Sequence, residues 1–267
     1  MIIEWNAHIF SRDIYQYPFS QRAVYRPDGS CLSDDPLSVY LERMRLEGID
    51  RAVLVHPEPY GDDHRLILDC LEKEPNILRA TSLFYPKDPD APKKLKDLVQ
   101  QQPRIVGTRF HAHRGKESYL DTFNDLGVRA LWEKAGELGL VIELHIGPNY
   151  AKQVGAVVRD YPSFPVLIDH LAEPNKGSPV EYADVLELAR FDQVYMKLSG
   201  LNHFSTNEPL FLDVKPFTKL VIEAFGPDQM VWGSGTPEIV DAHLEHLSKT
   251  ERGKVKGGNL KKLLAFD

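Results

Sequence analysis

The sequence predicts a single-domain α/β chain, a (β/α)8 TIM barrel with a long loop after strand 1. Three observations predict it. Short apolar runs alternate with segments of helical period about eight times along the chain, the number of units that closes a parallel barrel. The 267 residues suit the roughly 250 that such a barrel uses, and no Ser/Gly-rich or charged linker divides 1–267 into smaller domains. Six of the ten histidines fall at the carboxyl ends of predicted strands, where a barrel gathers its site. An open doubly wound sheet is the structural alternative, weakened by the absence of GxGxxG after the first strand and of GxxxxGK(S/T) anywhere.

Strand 1 lies within MIIEWNAHIF, residues 1–10, and delivers His8 to its carboxyl end. Alternation with a period of two puts Glu4, Asn6 and His8 on one face. Residues 11–36 lack periodicity, and a loop of that length inside a compact domain is usually functional or disordered. Its aromatics Tyr15, Tyr17, Phe19 and Tyr25 favour an ordered cover. A helix over 37–46 and a strand over 49–56 follow, then a helix over 62–72, a strand over 77–85 and a Lys- and Leu-rich helix over 91–101. Strand four covers 105–113, and a helix over 128–138 leads into a strand over 140–146. The second half continues with helix 149–161, strand 165–170, helix 181–190, strand 193–199, helix 215–225 and strand 229–234. Helical patterns over 239–247 and 259–265 complete the series.

Composition excludes several classes. A net charge of −7 argues against a nucleic-acid binder working through a broad basic surface, while leaving room for a local cationic pocket. Cys31 and Cys70 are the only cysteines, with no CxxC, so neither a disulfide framework nor a cysteine zinc site is indicated and a reducing, cytoplasmic setting is expected. No apolar run approaches a membrane span, and the amino terminus lacks the basic stretch and apolar core of a signal peptide.

The polar strand ends carry the chemistry. Arg109, His111 and His113 share one face of strand four if it stays extended, which points three potential cations the same way. Strand five brings Glu143 and His145, strand six His170 after Asp169, strand seven Lys197 and Ser199, and strand two His56. A lone His near a strand end is more often a hydrogen-bonded structural residue, the reading for His56 and His113; the joint pattern of His8, His145 and His170 reads as catalytic. Asp169, of opposite parity to His170, reads as structural, holding a loop or helix amino terminus. Glu143, one pleat deeper, reads as an orienting residue or an ion partner inside the barrel. His64, His243 and His246 lie in helical patterns and are expected to face solvent. Ser234, in Gly233-Ser234-Gly235, lacks the GxSxG elbow of a serine nucleophile.

Eight segments, in order, resemble the amidohydrolase-related family and, within it, the lactonase group that contains 2-pyrone-4,6-dicarboxylate hydrolase. They are MIIEWNAHIF, YPFSQRAVYRPDGS, GTRFHAHRG, ELHIGP, LIDHLAEP, VYMKLSGL, VWGSGTPE and GGNLKKLLAF, with PFSxxAxYxP in the first loop pointing to the lactonase group. The resemblance implies that His8 matches the second member of an opening His-x-His pair, and His145 a strand-five His that is a ligand in metal-bearing relatives. It implies that His170 matches a strand-six His that polarises the carbonyl or assists proton transfer. Arg109 and Arg114 match arginines that grip substrate carboxylates, a task suited to the planar guanidinium fork, and Tyr25 matches a loop tyrosine near the substrate. Two positions depart from the family. Asn6 stands where the first His of the pair is found, and Gly235 stands where an Asp after strand eight serves as metal ligand or base. A catalytic zinc site normally has three protein ligands; His8 and His145 are what remains of the inherited set, and His111 could complete a shifted three-histidine site. No cofactor is therefore required, and the one allowed is a single divalent metal, zinc, on His8 and His145.

The leading expectation is a hydrolase acting on a small carboxylated lactone or related ester. His170 would polarise the carbonyl, Arg109, His111 and Lys197 would anchor carboxylates beside Arg114 and Tyr25, and His8 or His145 would take the proton from water. An imidazole pKa near ~6.5 permits that at neutral pH. Two other readings stay open: a barrel that has lost hydrolysis and binds a carboxylated metabolite, and a metal-dependent decarboxylase or isomerase. The expected partner is a small anionic metabolite, with a homo-oligomer left open and neither nucleic acid nor membrane involved.

Overall fold

The computed structural model describes residues 1–112 and 119–266. Its first half runs β1 (Ile3–Ala7), α1 (Pro36–Glu47), β2 (Arg51–Val55), α2 (Arg65–Lys73), β3 (Leu78–Leu83), α3 (Ala91–Gln101), β4 (Ile105–His111) and α4 (Leu126–Glu137). The second half runs β5 (Val141–His145), α5 (Ala151–Asp160), β6 (Val166–Ile168), α6 (Pro179–Leu186), β7 (Val194–Leu198), α7 (Lys215–Phe225) and β8 (Met230–Trp232), then α8 (Glu238–His243), α9 (Lys249–Gly253) and α10 (Asn259–Leu264). The strands form one parallel eight-stranded sheet in chain order, the topology of the predicted barrel. Helices start and stop where local chemistry dictates: Asp35 caps α1 by accepting from Ser38 N, Gly48 ends it at φ 67°, and Ser178 with Glu181 forms a capping box on α6.

Alternation across the strands divides the core. In β2, Val53 and Val55 join Ile3, Trp5, Val141, Leu167 and Val231 inside the barrel, while Ala52 and Leu54 face the helices. Leu260 and Phe266 complete the inner core at the end where the strands begin, with Arg79 4.6 Å over the Phe266 ring. Beside β1, a Cβ added at Gly233 would lie 2.8 Å from the Trp5 carbonyl oxygen and 2.5 Å from the Lys197 side chain, so only glycine lets these strand ends approach.

β1 corrects one expectation. Its register against β2 slips between Trp5 and Ala7, a bulge that adds one residue. Parity therefore reverses at Asn6. Glu4 faces the helical layer, accepting from Tyr40 Oη at 2.6 Å and Arg43 Nη1 at 3.0 Å, whereas Asn6 and His8 face the barrel's carboxyl end. The loop over 11–36 is an ordered cover, as expected: Tyr17 Oη donates to Asp69 at 2.5 Å and Phe19 lies 5.2 Å from the Tyr60 ring. Tyr15 alone of its four named aromatics is fully out in solvent, 95% exposed. His64 and His243 are buried rather than solvent-facing: His64 Nε2 accepts from Leu83 N at 3.1 Å, and His243 Nε2 donates to Leu210 O at 2.7 Å. Each satisfies a backbone group that the surrounding apolar side chains leave without water.

Candidate active site

The floor of the site is a buried charge quartet. Arg109 on β4 donates from Nε at 2.9 Å and Nη2 at 2.5 Å to Asp169 Oδ2, and Lys197 on β7 pairs with Asp169 Oδ1 at 2.6 Å and with Glu143 on β5. Two cations face two carboxylates with almost no exposure, so the quartet stands only because each charge has partners. Burial opposes ionisation of Asp169, but Arg109 and Lys197 outweigh it and hold the carboxyl well below its usual range. Glu143 moves the other way: burial raises its pKa, and the neighbouring Asp169 charge adds to the effect. Glu143 is thus the interior ion partner expected. Asp169 is a correction, since it points into the barrel instead of capping a loop.

Its parity argument fails because the chain turns left-handed immediately afterwards. His170, Leu171, Ala172 and Glu173 have φ of 53°, 54°, 58° and 47°. Such a conformation costs L-residues roughly 1–2 kcal/mol each and persists where the surroundings impose it. Here Glu173 N donates to His170 O at 2.9 Å and Tyr182 Oη donates to Leu171 O at 2.9 Å. One turn of this kind aims residues three apart in the same direction, so both His170 and Glu173 meet His145 and His203.

Glu173 organises the imidazoles. Its Oε1 accepts from His145 Nε2 at 2.8 Å and from His203 Nδ1 at 2.8 Å, while Lys176 pairs with the carboxylate from outside. A carboxylate only accepts, so both rings are fixed as to which nitrogen carries the proton. In neutral His145 the Nδ1 lone pair then faces His111 Nδ1, 3.2 Å away. His170 Nδ1 lies 2.8 Å from Ser199 Oγ, and burial lowers its pKa well below the ordinary value. His8 Nδ1 donates to Val55 O at 2.9 Å, which leaves Nε2 as an acceptor. Burial, reinforced by Arg109, lowers the His8 pKa to about 3, so the ring is neutral at physiological pH.

Together these side chains surround a cavity of about 140 Å³ at the carboxyl ends of the strands. Asn6, Arg109, His111 and His145 line it from the strands, His8 and His170 from just beyond β1 and β6, and Tyr25, Glu58 and His203 from the loops. The structure thus brings together His8, His145, His170, Arg109, His111 and Tyr25, all named from the sequence. Lys197 lies beneath, tied to Glu143 and Asp169 and not part of the wall, which corrects its expected contact with substrate. Arg114 and His113 lie outside the described residues. Glu58, Glu173 and His203 went unrecognised. For Glu173 a signal existed, a carboxylate three residues after a strand-end His, but only left-handed backbone makes that spacing converge.

His145, His170 and His203 offer ligand nitrogens within 4.8 Å of one another, so among the described residues this group, which includes His145 of the expected pair, could hold a metal ion. The donor set fits. Glu173 holds one nitrogen of His145 and one of His203 and Ser199 meets Nδ1 of His170, so each ring has a second nitrogen for an ion, the relation that outer carboxylates have to metal-bound His.

The family model described as amidohydrolase matches residues 3–259. The 4-sulfomuconolactone hydrolase of Hydrogenophaga intermedia is 28% identical over 237 residues, covering 86% of this chain and 72% of that protein. The L-fucono-1,5-lactonase of Burkholderia ambifaria is 27% identical over 230 residues, covering 85% and 76%. Among solved structures, a probable 2-pyrone-4,6-dicarboxylic acid hydrolase from Acinetobacter baumannii, with citric acid bound, superposes with a TM-score of 0.79 at 22% identity, covering 99% of both chains. With the fold in place, a match that runs from the first strand to the last helix makes this chain a member of the amidohydrolase family.

Proposed function

We propose that the chain is a hydrolase that opens a small carboxylated lactone or related ester in the imidazole-lined cavity. The observation that carries this reading is the convergence of His8, His145, His170 and Arg109 on one cavity, in a family whose matched relatives are named as lactone hydrolases. Of the two candidate bases, His8 with its pKa lowered to about 3 is too weak at neutral pH, so His145 takes the proton from water, Glu173 on its Nε2 leaving Nδ1 as the acceptor. His170, with the Ser199 hydroxyl donating to Nδ1, carries its own proton on Nε2 and polarises the carbonyl. Arg109 and Tyr25 on the wall, with His111, receive the carboxylate, and Lys197 holds Asp169 and Glu143 in place below them. A divalent ion such as zinc, when held by His145, His170 and His203, would take over these imidazole roles, supplying in their place the Lewis acidity for activating water or the carbonyl.

Lactone opening by wild type, His170→Ala and His145→Ala tests the reading. A fall of roughly 10²–10⁴ in rate is expected for each, the usual contribution of acid–base groups; unchanged rates in both variants would remove the assignment. A second reading, a barrel that binds a carboxylated metabolite without turnover, is favoured by the segment after β8, where Gly235 stands at the position at which the resemblance implies an aspartate. Gly235 sits at φ 79°, and a Cβ there would lie 2.2 Å from Ile239 Cδ1, so an aspartate cannot be restored without strain. Saturable carboxylate binding with no turnover under any added divalent metal would establish that second reading.

A further inference from the structure

Asn6 is the extra residue of the β1 bulge: Trp5 pairs with Val53 and Ala7 with Leu54, so Asn6 has no counterpart on β2. The bulge turns its half-buried side chain into the cavity wall, over Lys197. An ammonium has three protons to place. Glu143 and Asp169 accept from Lys197 Nζ, the second at 2.6 Å, and Asn6 Oδ1 faces it at 3.5 Å. At that length the hydrogen bond itself is weak, but the choice between the two ends of the carboxamide is clear, because an ammonium attracts the oxygen and repels the NH2 group. Oδ1 is therefore turned down to Lys197 and Nδ2 toward the cavity, where it has no hydrogen-bond partner among the described residues.

The result is a pair of N–H donors on a neutral group, polarised by the charge behind it. A neutral, fixed donor gains most where negative charge develops during a reaction, whereas Arg109 on the same wall suits a carboxylate that is ionised from the start. We propose that Asn6 is a further catalytic residue of this cavity, donating from Nδ2 to the oxyanion of the tetrahedral adduct alongside His170 Nε2. The inference rests on the lactone reading above and adds a residue to it. When the water oxygen bonds to the carbonyl carbon, its proton passes to His145 and the carbonyl π pair moves onto oxygen, where the two donors meet it. Collapse restores the carbonyl and breaks the ring C–O bond, and the ring oxygen takes the proton back and leaves as a hydroxyl. Asn6 thus differs in kind from the histidine that the resemblance implies at this position: an imidazole lone pair accepts a proton or a metal, while a carboxamide with its oxygen turned to Lys197 offers only protons.

Steady-state opening of 5-oxotetrahydrofuran-2-carboxylate by wild type, Asn6→Ala and Asn6→Asp provides the test. Removing one oxyanion donor costs about 10²–10³ in kcat, and that loss is expected in both variants; in Asn6→Ala, KM should change by less than about threefold. Asn6→Asp keeps an oxygen facing Lys197 while losing both N–H donors, so it serves if Asn6→Ala fails to fold. An unchanged kcat in either variant overturns the proposal, including the case in which KM alone rises and Asn6 merely grips the ground-state ligand. If wild type does not open this lactone, that result counts against the hydrolase reading alone, and Asn6 is judged by calorimetric binding of 3-phosphonopropionate, whose phosphonate copies the tetrahedral oxyanion, against succinate. A wild-type preference for the phosphonate that falls about tenfold or more in the variants supports the proposal; no preference in wild type, or the same preference in the variants, overturns it.

Discussion

Lys197 shows how one side chain can look like a ligand-binding cation and serve another purpose. It sits at a strand end on the inward face, yet Glu143 and Asp169 enclose it, and the cavity begins above it. Removing one partner of a buried ion pair leaves the others uncompensated and typically costs about 3–5 kcal/mol. Lys197→Met is therefore expected to lower the urea midpoint by an amount corresponding to about 3–5 kcal/mol. A wild-type midpoint would show that the quartet does not hold the barrel interior together. Arg109 differs only in depth, since it reaches the wall while still bound to Asp169.

Two irregular elements carry the site, the bulge in β1 and the left-handed turn after β6. The bulge reverses parity at Asn6, and the turn swings His170 and Glu173 to one side. The turn makes its own prediction. In a helix, replacing Ala by Gly costs about 1 kcal/mol, whereas at positive φ glycine removes a penalty of roughly 1–2 kcal/mol. Ala135, buried in α4, and Ala172, at φ 58°, are both fully enclosed, so each variant loses a comparable methyl contact. Ala172→Gly should thus be less destabilising than Ala135→Gly by more than about 1 kcal/mol in urea unfolding. Equal losses would mean that the left-handed turn stores no strain. These two elements are also where alternation misled: it assigned Glu4 to the face of His8 and assigned Asp169 to a cap.

At the scale of the molecule, buried neutral imidazoles couple stability to pH. Burial lowers the His56 pKa from 6.5 to about 4, its Nε2 donating to Gly61 O at 2.9 Å. Burial likewise lowers His64, His170 and His243. The unfolded chain then binds protons first as pH falls, so the stabilisation is complete above 6.5 and is lost as pH drops toward 4. For His56 alone the linkage amounts to about 2 kcal/mol between pH 7 and pH 5. Urea unfolding at those two pH values should show at least that decline in wild type, and His56→Gln should have a slope smaller by about 2 kcal/mol. An identical slope in the variant would show that His56 titrates normally in the folded chain.

The barrel, the helix and strand series and the cluster His8, His145, His170, Arg109 and His111 were legible in the sequence, because strand order alone brings the carboxyl ends of the strands to one mouth. Glu58, Glu173 and His203 were not, since each reaches the cavity or the imidazoles around it from a loop whose path no periodic pattern specifies. Nor could the sequence show that Lys197 and Arg109 meet Asp169, or that His64 and His243 are buried; those depend on which side chains across the barrel fill the same space. Local sequence sets the period and therefore the face. Where a bulge or a left-handed turn breaks the period, only the packing of distant strands decides which polar atoms meet.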